Sequence, residues 1–394
     1  MSEKVDWDIP AQLQPNPRDC AFDLERALLS VVGLRSSVPD DAFTAATLGT
    51  ERAGSGAVIR EDGLVLTIGY LVTEAETVWL SSADGRAIPG HVLAYDQETG
   101  FGLIQALGRL DLPALRLGDA SSLRLEDQVL VAAGGGRHHA IKSVVVARQE
   151  FAGYWEYLLE SAIFTAPAHP LWGGTALIGP DGTLMGIGSL HVQQATGGGT
   201  TRDVNMMVPI DLLPPILDDL LTYGRANRPP RPWLGMYAAE SNERIVVAGL
   251  APNGPAQAAN IRAGDGILAV GNEAVADLPS LWRQVWAAGS AGSEVPIKLF
   301  RDGTVLTMRV RSADRAALGD QLGRRSAQLN RDRQDACHGA RSCPTSAGRQ
   351  GPAAAGTGCA RCADRGRRLR RVPHRPARRR WRAARPQAVD RPRP

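Results

Sequence analysis

Short apolar runs, broken at regular intervals by turn-forming residues, fill residues 55–208 and constrain the fold of this chain. Examples of these runs are GAVIREDGLVLTIGYLV, TVWLSSADGRAI and LVAAGGGR. Asp62-Gly63 and Asp84-Gly85 are hairpin dipeptides between β-rich flanks, and Pro180-Asp181-Gly182 is the turn of a third hairpin. Many short strands at such a spacing are typical of a barrel or a sandwich. The sequence therefore predicts a mainly β fold.

Composition divides the 394 residues into segments. In chain order, the predicted segments are an N-terminal segment with the first strand (1–50), a β-rich domain (51–224), a Pro-rich linker (225–232), a second compact unit (233–314) and an Arg/Ala/Pro-rich tail (315–394). A helical pattern at 211–223 closes the β-rich domain, and the run RPPRP indicates a stiff linker. The second unit combines strand patterns such as IVVAGL and EVPIKLF with a helix over 279–288, which predicts an α+β domain.

The tail differs from the rest of the chain in charge and composition. Residues 315–394 hold 21 Arg, five Asp and no Lys, so the remaining chain is acidic although the whole has a net charge of +4. Because the tail has few large apolar residues to offset the entropy of ordering, it is predicted to be disordered. Its composition is also what a reading-frame slip in a GC-rich gene would produce, and we favour that origin.

Two functional interpretations of the tail are weaker. The Arg runs could contact nucleic-acid phosphates, but Trp381 is the one aromatic residue among them. A zinc site would use the tail cysteines, whose spacing is loose; they are Cys337, Cys343, Cys359 and Cys362. We therefore predict no metal and no cofactor, and a nucleic-acid partner is not the favoured interpretation.

The cysteines and the first residues bear on the compartment. Of the five cysteines only Cys20 lies outside the tail, so a disulfide framework is not expected. The opening MSEKVDWDIP lacks the basic and apolar regions of a signal peptide, and no apolar stretch reaches the length of a membrane span. The expected location is cytoplasmic, or periplasmic if the true start lies upstream.

Four stretches of the β-rich domain resemble the HtrA family of serine proteases. GSGAVI (54–59), VLTIGYLV (65–72), DQETGFGLI (96–104) and HPLWGGTAL (169–177) are similar to that family's GSGVII, ILTNNHVV, D-x-x-T-D-L-A-V-L and N-P-G-N-S-G-G-P-L. LPALRLGDASSLRLEDQVLVAAG (112–134) matches in between. The resemblance implies a trypsin-like double β-barrel in which His, Asp and Ser of the catalytic triad follow in that order.

The resemblance fails at the positions that carry the chemistry. The His position holds Tyr70, the Asp position Gly100, and the Ser position Gly173 or, with another alignment, Trp172. A phenol is a poor base at neutral pH, and glycine can neither orient a base nor attack a carbonyl. The resemblance also implies that Leu171 stands where a glycine supplies an oxyanion-binding amide. No catalytic residue is therefore predicted at these positions.

Two alternatives to a simply emptied cleft stay open. Tyr70 and Trp172 either fill the cleft or form the wall of a rebuilt ligand pocket. A relocated catalytic centre would need a new nucleophile and a new base, drawn from Thr175, Ser189, His169 and His191. Such a centre demands sub-ångström geometry that scattered residues rarely meet, so it is the less favoured hypothesis.

The second unit resembles the PDZ domain of the same family. Trp233-Leu234-Gly235-Met236 is similar to the carboxylate-binding loop, APNGPA (251–256) to P-x-S-P-A, and IRAGDGILAV (261–270) to L-K-x-G-D-x-I-x-x-V. The resemblance implies that the amides of residues 233–236 receive a C-terminal carboxylate while the peptide adds a strand. Leu281 and Val285, with Trp286, form either the helical wall of the peptide groove or only the core face of the helix.

Together these patterns predict an HtrA-like serine protease homologue that is catalytically inactive. Its expected partners are polypeptides or protein C-termini, in a binding or quality-control role. The resemblance further implies a homo-oligomer, a trimer in many relatives. An active endopeptidase with a relocated centre and nucleic-acid binding through the tail are the alternative functions.

Overall fold

The computed structural model describes residues 9–196, 200–241 and 244–316. These residues form two closed six-stranded antiparallel barrels, followed by a smaller sheet with two short helices. This architecture confirms the predicted mainly β fold class. Within the described ranges, no helix is long and apolar enough to cross a bilayer. The cysteines, arginine runs and predicted disorder at 317–394 lie outside those ranges.

The first barrel begins before the predicted domain boundary at residue 51. Helix α1 (Leu24–Leu29) is capped by Asp23, whose side chain accepts from the amide of Arg26, and leads directly into the first strand. In chain order the barrel elements are β1 (Val31–Ser37), α2 (Ala45–Leu48), β2 (Glu51–Val58), β3 (Leu64–Ile68), β4 (Thr77–Ser81), β5 (Ala87–Tyr95) and β6 (Phe101–Ala106). The strands close in the order β1-β2-β3-β6-β5-β4, so β1 is part of the barrel.

The second barrel contains a long hairpin that extends beyond the barrel wall. Its elements are β7 (Gln128–Ala132), β8 (Ala140–Gly153), β9 (Tyr157–Ala166), β10 (Ala176–Ile178), β11 (Leu184–Thr196), β12 (Thr200–Pro209) and the closing helix α3 (Pro214–Tyr223). The strands close in the order β10-β11-β12-β9-β8-β7. The hairpin of β8 and β9 turns at residues 154–156, where Glu156 adopts a φ of 60°.

The third unit has its own apolar core. Its elements are β13 (Met236–Ser241), β14 (Arg244–Leu250), α4 (Pro255–Ala258), β15 (Gly266–Val270), β16 (Glu273–Ala274), α5 (Leu278–Ala287), β17 (Glu294–Arg301) and β18 (Thr304–Arg311). The sheet order is β13-β14-β15-β17-β18, with β16 beside β15. Trp282 of α5 is completely buried in this core, as are Leu281 and Val285. An α+β unit with this helix and these strands agrees with the sequence patterns.

The two barrels approach through their backbones, with little room for side chains. The amide of Ser55 on β2 donates to the carbonyl of Gly173 in the second barrel at 2.9 Å. Within the second barrel, the amide of the next residue, Gly174, donates to Gly188 at 2.8 Å. Gly174 has a φ of 74°, and a Cβ there would lie 2.6 Å from Thr67 Oγ1 and overlap the carbonyl oxygen of Ser55. A larger residue at position 174 would therefore push the barrels apart.

Replacing Gly174 with alanine is expected to destabilise the protein by about 3 kcal/mol or more, because backbone strain and overlap add. Gly85→Ala is the matched control, since Gly85 has a φ of 87° but open space around it. That variant should lose only about 1–2 kcal/mol, the cost of the left-handed conformation. Urea unfolding measures both. Equal losses in the two variants would mean that the junction tolerates a side chain.

Candidate functional site

The three positions matched to the catalytic triad lie together at the barrel junction. Tyr70 is in a 3₁₀ turn that follows β3, and Gly100 immediately precedes β6. The amide of Gly69 donates to the carbonyl of Gly100 at 2.7 Å, which links the first two positions. Gly173 precedes β10 in the second barrel, and a Cβ built on it would lie 2.8 Å from the Tyr70 hydroxyl. The Ser and His positions are therefore direct neighbours.

The Tyr70 hydroxyl is committed to a hydrogen bond across the junction. It donates to the backbone carbonyl of Ser189 on β11 at 2.9 Å. Burial raises the pKa of Tyr70 above its usual range, although an interaction with Trp172 opposes the shift. The phenol is thus held as a neutral donor, and it has no tendency to take a proton from a nucleophile.

The Gly100 position is closed by a tyrosine from the second barrel. A Cβ on Gly100, whose φ is 84°, would lie 3.1 Å from the Tyr157 hydroxyl. That hydroxyl donates to the carbonyl of Thr99 at 2.7 Å, and burial raises the pKa of Tyr157. A second neutral phenol therefore occupies the space beside the position of the orienting carboxylate.

His169 fixes the segment that leads to Gly173. The ring is fully buried, with its Nε2 3.0 Å from the carbonyl of His139 and its Nδ1 3.1 Å from the amide nitrogen of Leu171. Burial lowers the pKa of His169 to about 4, so the ring is neutral at pH 7. Nδ1 also lies 3.0 Å from the carbonyl oxygen of Leu171. We assign the ring proton to Nε2, which faces the carbonyl of His139, and Nδ1 then accepts from the Leu171 amide. In this fold the oxyanion is bound by the amides of the nucleophile and of the residue two before it. Here the second of these amides, on Leu171, points to His169.

The other residues considered for a relocated centre are buried or packed at the junction. Thr175 is fully buried and its hydroxyl donates to the carbonyl of Trp172 at 3.0 Å. The ring of His191 packs on Trp172 with a centroid distance of 5.4 Å. Ser189 is 4% exposed and supplies the carbonyl that binds Tyr70. Both proposed hydroxyls are therefore buried at the junction.

A cavity of about 280 Å³ lies where the catalytic cleft would open. Its wall is largely aromatic, with rings contributed by Phe43, Tyr70, Tyr95, Tyr154, Trp155, Tyr157, Trp172 and Tyr237. Gly100 and Ser189 also line it. The cavity agrees with the hypothesis of a rebuilt pocket better than with a fully filled cleft.

The carboxylate-binding loop of the third unit holds a carboxylate from the second barrel. The amide of Leu234 lies 3.1 and 3.2 Å from the two oxygens of Glu156, and the amide of Met236 lies 3.0 Å from one of them. Gly235 between them has a φ of 69°, which lets neighbouring amides converge on one anion. Burial raises the pKa of Glu156 to about 7, although these amides lower it.

The helix of the third unit contacts the same hairpin through a residue that sequence reasoning missed. The indole nitrogen of Trp282 donates to the carbonyl of Gly153 at 2.9 Å. Leu281 and Val285, the predicted groove residues, are wholly buried in the domain core. Their role in peptide binding stays a prediction. Helical spacing alone does not separate Trp282 from these neighbours, because all three lie on the apolar face.

Ion pairs fasten the predicted linker to the first barrel. Arg228 lies 3.1 Å from both Asp96 and Glu98, and Arg231 lies 2.8 Å from Glu98. The guanidinium of Arg231 also stacks on Trp286 of α5, 4.3 Å from the ring centroid. Trp286 thus packs against the linker, and the linker itself connects the first barrel with the third unit.

Comparison with known proteins finds matches for both domains. The trypsin-like peptidase domain family matches residues 54–187, and the PDZ domain family matches residues 232–311. The probable periplasmic serine endoprotease DegP-like of Halomonas elongata is 27% identical over 267 residues, which cover 64% of this chain and 54% of that protein. The periplasmic serine endoprotease DegP of Salmonella typhimurium is 26% identical over 273 residues, covering 65% and 56%.

Among solved structures, a serine endoprotease from Yersinia pestis is 22% identical with a TM-score of 0.46, covering 74% of this chain and 96% of that one. The chain spans about half the length of the curated relatives it matches. The two family models show a trypsin-like peptidase domain and a PDZ domain in this chain, and the curated relatives support the HtrA resemblance. Both findings agree with the motifs of the sequence.

The buried neutral ring of His169 predicts a loss of stability in acid. Its folded-state pKa of about 4 lies below the ordinary value of about 6.5, so the unfolded chain takes up the proton first. The neutral ring contributes fully to the free energy of unfolding above pH ~6.5. About 3 kcal/mol of that free energy is lost as the pH falls through 4. The free energy of unfolding, measured in urea at pH 7.5 and at pH 4, should fall by about 3 kcal/mol less in His169→Gln than in the wild type. The exposed His138→Gln serves as control, and an identical acid loss in both variants would refute the assignment.

Proposed function

We propose that this protein is a catalytically inactive HtrA-like protease homologue that binds polypeptides. The observation that carries the proposal is the distance of 2.8 Å between the Tyr70 hydroxyl and the position of a Cβ at residue 173. The place of a nucleophile beside its base is filled by a glycine and a phenol that donates to the backbone. A triad without its members retains only about 10³–10⁴-fold rate enhancement over water.

Two further observations support inactivity. The amide of Leu171, at the position of an oxyanion donor, is bonded to His169. Gly100 offers no carboxylate, and the adjacent space is taken by the Tyr157 hydroxyl. Base, orienting acid, nucleophile and one oxyanion donor are thus all replaced, which no single substitution would repair.

The PDZ domain supplies the peptide-binding half of the proposal. The amides of Leu234 and Met236 converge on a carboxylate, which is the chemistry required to hold a free C-terminus. The edge of β13 lies next to this loop, so a bound peptide would extend the sheet. We propose protein C-termini as ligands and a quality-control role, in an oligomer such as the trimer that the resemblance implies.

The relatives also bear on location and on the rival function. Both of those described above are named periplasmic, which favours the periplasmic alternative, and the expected cytoplasmic location finds no support. Both are named serine endoproteases, so an active enzyme with a relocated centre is the rival. That rival needs Ser189 or Thr175 as nucleophile.

A fluorophosphonate probe should leave the mass of the intact protein unchanged, because the proposal leaves no activated hydroxyl at the triad positions. Unfolded casein should remain uncut after prolonged incubation, yet fluorescein-labelled casein should bind, as measured by fluorescence anisotropy. An active trypsin-fold protease is the positive control for the probe and the substrate. Labelling that Ser189→Ala or Thr175→Val abolishes would overturn the proposal in favour of the rival.

A further inference from the structure

The tip of the β8–β9 hairpin occupies the peptide groove of the PDZ domain. We infer that Glu156 is an internal ligand of the carboxylate-binding loop, which an incoming C-terminal carboxylate must displace. The inference rests on the proposed recognition of C-termini. Its consequence is that the groove is open to partners only when the hairpin leaves.

The hydrogen bonds of the loop are already used. The Leu234 amide lies 3.1 Å and the Met236 amide 3.0 Å from the Glu156 carboxylate. An amide has one proton to donate, so it cannot serve a second carboxylate with full strength. A C-terminal carboxylate and Glu156 therefore compete for the same donors.

The hairpin also takes bonds that the rest of a peptide would need. The amide of Ala238 on β13 donates to the carbonyl of Tyr154 at 2.9 Å, as it would to an added strand. On the opposite wall, the indole of Trp282 donates to the carbonyl of Gly153. Backbone and carboxylate contacts are thus imitated together by three residues of one turn, Gly153, Tyr154 and Glu156.

Contacts outside the groove hold the hairpin in this position. Arg283 of α5 pairs with Glu150 of β8. The rings of Tyr154 and Tyr237 meet edge to face at 5.9 Å. These contacts raise the affinity of the internal ligand without adding anything that a C-terminal peptide could use, so they weaken the apparent affinity for partners.

Removal of the Glu156 side chain should raise peptide affinity about tenfold or more, because the bonds of the internal carboxylate no longer compete. The measurement is fluorescence anisotropy of decapeptides that end in Leu, Val or Phe, with the full-length protein. Glu156→Ala and the more conservative Glu156→Gln are compared with the wild type. Glu126→Ala is the matched control, since Glu126 is an exposed glutamate that also has a positive φ, 68°.

Amidated peptides should bind weakly to every form, because the amides need a carboxylate. Hydrogen exchange adds an independent readout: a bound peptide should increase exchange at 152–157 in the wild type. Equal peptide affinities in all four proteins, or unchanged exchange on binding, would overturn the competition and leave recognition of C-termini intact. Failure of every form to bind any peptide would instead contradict recognition of C-termini, and the competition with it. If Glu156→Ala does not fold, the smaller affinity gain expected of Glu156→Gln decides the matter.

Discussion

The close approach of two backbones at the barrel junction determines much of this structure. The carbonyl of Gly173 accepts from Ser55, and Gly174 has no space for a Cβ. The geometry of the cleft is therefore set by main-chain bonds and by the absence of side chains at two glycines. This frame needs no side chain at Gly173 or Gly174, so a trypsin-like scaffold can form without a nucleophile at that place.

The three positions matched to the triad are compatible with a stable fold because the polar groups beside them are paired. The phenols of Tyr70 and Tyr157 donate to backbone carbonyls, and the ring of His169 bridges two segments. An unpaired buried donor would cost about 1–3 kcal/mol, so each bond removes a penalty that an empty cleft would otherwise carry. Aromatic rings also line much of the cavity, where a charged catalytic group would be less well solvated than in water.

Local sequence patterns predict much of the architecture. Hairpin dipeptides such as Asp62-Gly63 predict the β-rich domain, because a tight turn depends on neighbouring residues alone. IRAGDGILAV predicts the third unit through its resemblance to a motif of the HtrA-family PDZ domain. The proximity of Tyr70 to Gly173 also follows from the motif order, once the fold is known. Glu156 was not predicted, since its partners are about 80 residues away and no local pattern marks a carboxylate that docks on another domain. Trp282 was missed for the same reason, because its hydrogen-bond partner, the carbonyl of Gly153, lies in the second barrel.

One short turn belongs to two surfaces. Tyr154 and Trp155 line the aromatic cavity of the junction, and Glu156 accepts hydrogen bonds from the amides of the carboxylate-binding loop. During evolution, a substitution selected for its effect on either surface would alter the other at the same time. The sequence of this turn must therefore satisfy both surfaces at once, and the two domains cannot diversify independently.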